Sequence, residues 1–212
     1  MNQRLSPPAR PSYHHGKLRQ ALVDMAVTVA EETGKDLISV REVARRLGVS
    51  SGAPFRHFPN REALMTAVAE EATVRLRMRV ERDLRDAPTD PKARLKALGC
   101  SFIEWALDNP TQFRLVSQRR LFDFGASPSL ATHFDAVRNL TLGLVEQAQA
   151  AGALPPGPAA SLALGLRALV YGLARMHVDG QLPQWRVSPE AARDALTTSM
   201  SALVDALGAQ RG

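Results

Sequence analysis

Between residues 39 and 64 the chain gathers cations, very small side chains and aromatic rings. That mixture suits non-covalent recognition of a polyanion rather than covalent chemistry. Arg41 and Arg56 carry planar donor forks that can bond a guanine edge bidentately. Ser51, Gly52 and Ala53 are small enough to let the backbone approach a groove. Ser51 can hydrogen-bond to a base or a phosphate, and Ala53 can touch a thymine methyl. His57 and Arg61 are better placed for phosphates, which position a protein on duplex DNA without reading sequence. Phe55 is shared between packing and this surface, whereas Phe58 is expected in the core. Arg45 and Arg46 are either part of the surface or ordinary solvated charges.

Two short helices joined by a tight turn would hold these residues. Ser39 and Glu42 have the spacing of a capping box, so a helix should start at Val40. Val43, Ala44 and Leu47 would face inward, and Gly48 would make the turn. Ser50 can cap a second helix over residues 51–57, with Pro54 in its first turn, where a missing N–H costs little. This is a helix-turn-helix pattern, which places its second helix in the DNA major groove.

Charge supports the assignment. The 212-residue chain has a formal net charge of +6 and a sequence pI of about 10.2. Residues 1–61 carry ten Lys and Arg against five acids, so nearly all of the excess lies with the helix-turn-helix. A basic patch fits nucleic acid or an anionic membrane surface; its coincidence with this motif favours DNA. The one cysteine, Cys100, permits no intrachain disulfide. A reducing cytoplasm is the simplest compartment. No apolar run approaches the ~18 residues expected of a membrane span. Residues 1–12 are polar and proline-rich, without a signal-peptide core, and are expected to form a disordered arm.

The fold class expected is all-α, with about nine helices and no alternating strand pattern. A first helix over 16–32 packs Leu18, Leu22, Met25, Ala26 and Val29, and Gly34 ends it. Asn60 can cap a long helix over 61–86 with an apolar stripe of Leu64, Val68, Ala72, Leu76, Val80 and Leu84. Its arginines, Arg75, Arg77, Arg79, Arg82 and Arg85, are best read as a solvated face balanced by Glu81, Asp83 and Asp86. Further helices are expected over 91–108, 111–121, 128–151, 159–178 and 190–207. The last two are more apolar than one small domain can cover, which points to burial against a second copy. Gly165, Gly172, Ser199 and Ala202 would permit close approach.

The runs Arg41-Glu42-Val43-Ala44-Arg45-Arg46-Leu47-Gly48-Val49-Ser50 and Phe55-Arg56-His57-Phe58-Pro59-Asn60-Arg61-Glu62-Ala63-Leu64 resemble the tetracycline-repressor (TetR) family of transcriptional regulators. The resemblance is strong over residues 14–70, and Tyr13-His14-His15-Gly16 looks like the entry to the first helix in many members. Residues 168–183 resemble a C-terminal domain type with a Trp-His-Gly signature. Here Arg167 stands in place of the Trp, and Tyr171 in place of the His before Gly172. The resemblance implies a DNA-binding head at 13–60 and a ligand-binding and dimerisation domain at 61–212. It also implies a homodimer through the last two helices and a palindromic double-stranded operator. Phe55 takes the place of the usual Tyr and lacks the hydroxyl that would reach a phosphate.

The same resemblance implies a small-molecule effector that moves the heads apart. The aromatic and polar residues between the linkers are candidates for its pocket: Phe102, Trp105, Phe113, Phe122, Phe134, Arg138, Tyr171 and Arg175. Phe124, His133 and His177 are further candidates. Such pockets are mainly apolar with a few polar anchors, so an apolar or aromatic effector is expected. Cys100 reads as an inert thiol rather than a redox switch. No metal-ligand spacing, glycine-rich phosphate loop or nucleophile elbow appears, so no metal, cofactor or catalytic role is expected. The competing readings are a helical dimer that serves as a partner module without specific DNA binding, and an enzyme with a helical fold.

Overall fold

The computed structural model describes residues 15–209. The expected arm at 1–12, and Tyr13 and His14, lie outside them. Eight α-helices and three short 3-10 helices make up the regular structure, with no strand among the described residues. The chain forms two compact units, Met1–Met65 and Thr66–Gly212.

The first unit holds α1 (His15–Thr33), α2 (Val40–Arg46), a 3-10 turn (Pro54–Arg56) and the start of α3 (Arg61–Arg85). The helical periodicity of α1 puts Leu18, Leu22, Ala26 and Val29 in the core, with Met25 half-buried beside them. α1 packs on α2 and the 3-10 turn, and Ile38, Val40, Val43, Ala44, Phe58 and Leu64 of this unit are buried too. Arg19 lies over the Phe58 ring, its guanidinium carbon 5.5 Å from the centroid. Such a cation–π contact is worth roughly 0.5–1 kcal/mol. The Asn60 carboxamide caps α3 by accepting the Ala63 amide at 2.8 Å.

Two local expectations fail. Ser39 has the extended backbone of a cap residue, but its side chain makes no capping hydrogen bond. Glu42 instead lies 3.9 Å from Arg46, which also pairs with Glu32. Residues 51–57 do not form a regular α-helix: turns lead into the Pro54–Arg56 3-10 segment. Pro54 has no N–H to give to Ser50, and the amides of Arg56 and His57 donate three residues back, to Ala53 and Pro54. The coil therefore tightens.

The second unit is organised around α4 (Pro91–Asp108), which packs on α6 (Pro128–Ala150), α7 (Ala159–Val178) and α8 (Ala192–Ala209). The short α5 (Pro110–Val116) follows α4. Asp90 caps α4 by accepting the Ala93 amide at 2.8 Å, and Pro91 opens it. Leu95, Leu98, Phe102, Ile103, Trp105 and Ala106 of α4 are buried. Each large side chain among them contributes about 1.5–3 kcal/mol by leaving water. Gly99 lets α8 come close, since a Cβ there would collide with the Met200 side chain. The second half of the α3 stripe, Ala72, Leu76, Val80 and Leu84, joins the same core.

α7 is more apolar than the absence of a long apolar run suggests. Its 20 residues reach a mean hydropathy of 1.2, long and apolar enough by composition to cross a membrane. Yet Arg167 and Arg175 interrupt it, and Leu166, Val170 and Ala174 pack into the core. Leu162, Leu169, Tyr171, Leu173 and Met176 are partly buried around it, as α7 packs on α4, α5, α6 and α8.

Four arginines of α3, Arg75, Arg77, Arg79 and Arg82, find partners inside the protein. Arg75 pairs with Glu71 and Arg77 with Glu81. Arg79 is a hub: it bonds Asp83 at 2.7 Å, Asp108 at 3.1 Å and also Glu104. Arg193 of α8 bonds Asp108 at 2.6 Å, so the network ties α3, α4 and α8. Partial burial pushes the Asp83 pKa up, but hydrogen bonds from Ser101, Arg79 and Arg82 outweigh it and hold the carboxyl below its ordinary value. For Asp108 the hydrogen bond from Arg193 leads, and that from Arg79 adds to it, against burial.

Arg79→Met should cost about 1–2 kcal/mol near neutral pH, read by urea unfolding. Carboxylates with depressed pKa values stabilise fully above their unfolded value of about 4 and lose that contribution as pH falls through the folded value. The gap between the wild type and the variant should therefore narrow between roughly pH 5 and pH 2. An unchanged gap would mean that the network's contribution is not electrostatic.

Candidate nucleic-acid interface and ligand cavity

In the first unit α2 ends at Leu47 and the chain reverses through Gly48, whose φ of +67° lies in the left-handed region. The turn is closed by hydrogen bonds from the Gly48 amide to the Arg45 carbonyl and from the Val49 amide to the Ala44 carbonyl. It leads to Ser51 and Gly52, which are exposed, and to half-buried Ala53. Pro54 is buried and anchors the 3-10 turn, leaving Phe55 38 % exposed and Arg56 exposed. His57 is half-buried and Phe58 fully so.

The cations here differ from those on α3. Arg41, Arg45, Arg56 and Arg61 are exposed and make no ion pair among the described residues. Arg46 alone in this group is neutralised, by Glu32 and Glu42. An exposed guanidinium without an internal anion keeps its donors available for an external one.

The second unit contains a cavity with about 710 Å³ of unfilled space, solvent at its mouth included. Leu76, Phe102, Trp105, Phe113, Phe134 and Tyr171 give it an apolar wall, and Arg119 and Arg167 also reach it. Phe113 stands edge-on to Phe102 with centroids 6.0 Å apart and lies 5.6 Å from Tyr171. Burial pulls the Arg167 pKa down; Tyr171 opposes this and the charge of Arg119 adds to it. Burial likewise lowers that of Arg119.

Residues 22–68 match the family model described as bacterial regulatory proteins, tetR family. Residues 95–203, half of the chain, match the model described as tetracyclin repressor-like, C-terminal domain. The chain belongs to the TetR family. It is 30 % identical over 169 residues to the HTH-type transcriptional regulator BetI of Cronobacter sakazakii, covering 77 % of this chain and 81 % of the relative. Among solved structures, a protein with unknown function from a Rhodococcus species superposes with a TM-score of 0.78 at 32 % identity, covering 94 % of this chain and all of the other. The TetR family regulator PfmR from Thermus thermophilus shares the fold, with a TM-score of 0.70 at 18 % identity over 90 % of this chain and 99 % of its own. As a TetR-family member, the chain is a DNA-binding transcriptional regulator.

The eight residues expected at the DNA surface all belong to the first unit, on α2, the turn, the 3-10 segment and the first residue of α3. Of the eight expected at an effector pocket, Phe102, Trp105, Phe113, Phe134 and Tyr171 line one cavity. Phe122 is buried and lies behind Arg119, whose guanidinium carbon is 5.7 Å from its ring centroid. Arg138 is exposed and pairs with Asp135; Arg175 pairs with Asp179. Neither is on the cavity wall. Arg119 and Arg167 are not among the expected pocket residues, and nothing in helical periodicity marks them. The replacement of an expected Trp by Arg167 is the available signal. Cys100 is half-buried beside Ser201, and burial pushes its thiol pKa up, the opposite of an activated thiolate. Among the described residues no group of His, Cys, Asp and Glu could hold a metal.

Gly48 has open space where a Cβ would go, so only backbone strain opposes substitution. Gly48→Ala should destabilise the first unit by about 1 kcal/mol. Urea unfolding followed by hydrogen exchange on α1 and α2 would read this. Unchanged protection would mean that the left-handed turn does not constrain the motif.

Proposed function

We propose that the chain is a homodimeric repressor that binds a palindromic operator and is released from it by a small apolar or aromatic molecule held in the second unit. The observation that carries the DNA half is the set of exposed arginines without internal ion-pair partners around the Gly48 turn, on a chain that pairs Arg75, Arg77, Arg79 and Arg82 of α3 internally. In this reading Arg56 and Arg41 read base edges. Ser51, Gly52 and Ala53 allow close approach, and His57 and Arg61 hold phosphates. Phe55 packs against the backbone of the duplex and offers no hydroxyl to it.

Dimerisation through α7 and α8 is supported by what those helices leave uncovered. Leu164 is 70 % and Leu203 47 % exposed. They stand among exposed Gly165, Ala168, Ser199 and Ala202, small residues that let a partner helix approach. A second copy presenting the same face would bury both leucines. Two-fold symmetry then requires two half-sites related by a dyad, about one helical turn or roughly 34 Å apart, or at a wider spacing.

Release needs an effector that binds the non-DNA-binding state more tightly than the other; operator and effector then weaken each other by the same factor. The cavity supplies a place for it, with mainly apolar walls and a few polar groups.

Selection of the full-length protein on random duplex DNA at two salt concentrations, followed by sequencing, tests this reading. A dyad-symmetric motif should be enriched, and its affinity should fall steeply as salt rises. Salt-sensitive retention without any motif would reduce the head to a nonspecific cation. No retention at either salt would favour the partner-module alternative.

A further inference from the structure

The cavity of the second unit is not only apolar. Arg167 enters it from α7 and lies over Phe102 and Tyr171, with its guanidinium carbon 4.5 and 5.2 Å from the two ring centroids. Arg119 lies on Phe124 and Phe134 at 4.3 and 4.5 Å and is the more exposed of the two. Among the described residues neither arginine pairs with a carboxylate. Stacking satisfies the face of a guanidinium but not the N–H groups in its plane. One nitrogen of Arg167, Nη1, is buried without a hydrogen-bond partner, and so is Nε1 of Trp105 on the same wall.

The unmet needs of this cavity wall are all donors. Two of its three hydroxyls already donate to the backbone, Thr73 to the Ala69 carbonyl at 2.7 Å and Ser117 to the Phe113 carbonyl at 2.6 Å. A buried cation without an anion is a cost that stability alone would remove, since a methionine fills similar space without it. Two like charges facing one cavity add to that cost. A planar acceptor with negative charge relieves both at once, and the fork of a guanidinium matches the two oxygens of a carboxylate.

We propose that the cavity takes an organic carboxylate, with its head group on Arg167 and Arg119 and its apolar or aromatic body against Phe102, Phe113 and Phe134. This deepens the effector reading given above and rests on it for its regulatory meaning. A cationic ligand would meet two unopposed arginines and is excluded from the same place. The apolar wall disfavours small polyanions, which would leave the rings uncovered.

The test is isothermal titration of the full-length protein, without DNA. The probes are a series of straight-chain alkanoates from hexanoate to dodecanoate, together with phenylbutyrate, each against its own primary amide. At least one acid should bind, and its amide should bind about 10–100-fold more weakly, the value of a charge-assisted pair. Arg167→Met should lose a similar factor for the acid while keeping the affinity of the amide, which a merely structural role would not produce. Arg119→Gln, at the more exposed position, should give a smaller loss in the same direction. The inference is overturned if no acid of the series binds, if acid and amide bind equally, or if Arg167→Met keeps the preference for the acid.

The same compounds added to the operator complex separate the two claims. An acid that binds but leaves operator affinity unchanged keeps the carboxylate site and removes its role as effector. Release by the neutral amides, with no acid binding in the titration, removes the carboxylate site and keeps the ligand-released regulator.

Discussion

A guanidinium cannot give up its charge at any pH the protein meets, so every arginine needs an anion, water or an aromatic face. How this chain meets that demand divides it into parts. Along the α3 stretch from Arg75 to Arg82 the arginines are answered by acids next to them, one turn away or on a neighbouring helix. Around the Gly48 turn most of them are left exposed and unanswered. At the cavity two of them lie on aromatic rings without a carboxylate partner among the described residues. The same residue type thus makes a structural network in one place and a demand for an external anion in two others.

The core makes this partition possible by fixing backbone positions independently of charge. In the first unit, Leu22, Val43, Phe58 and Leu64 hold the two arms of the turn. Arg41 and Arg56 therefore need no internal partner to stay in place. In the second unit α4 supplies the inner surface on which α6, α7 and α8 pack, and its Phe102 and Trp105 serve both core and cavity. Burial of those rings is what lets α7 tolerate Arg167 among apolar neighbours.

Most of the fold is legible in the sequence because helical periodicity is strong and the breakers are explicit. The α3 stripe from Leu64 to Leu84 is buried as its spacing requires. Proline and asparagine punctuate the helix ends near 60, 90 and 109. What stays hidden lies in competition between local options. The Ser39–Glu42 spacing matches a capping box, yet Arg46 competes for Glu42. The segment after Gly48 has helical periodicity, yet Pro54 removes the one amide that a regular turn needs. The cavity is half legible: aromatic residues between the linkers hint at a wall, but which of them converge depends on tertiary packing. Arginines that pair and arginines that do not look alike in a sequence, so residue type alone cannot choose Arg119 and Arg167 over Arg138 and Arg175.

The most direct test of the partition is an Arg→Gln scan read by the salt dependence of binding to the selected operator. Removing Arg41 or Arg56, read as base contacts, should weaken binding and relax the sequence preference. Removing Arg61, read as a phosphate contact, should weaken binding and lower the logarithmic salt slope by about one. Removing Arg75, Arg77 or Arg82, whose charges are already neutralised, should leave that slope unchanged. Equal losses of slope for Arg61 and for these three would contradict the claim that unpaired arginines mark where this protein meets anions.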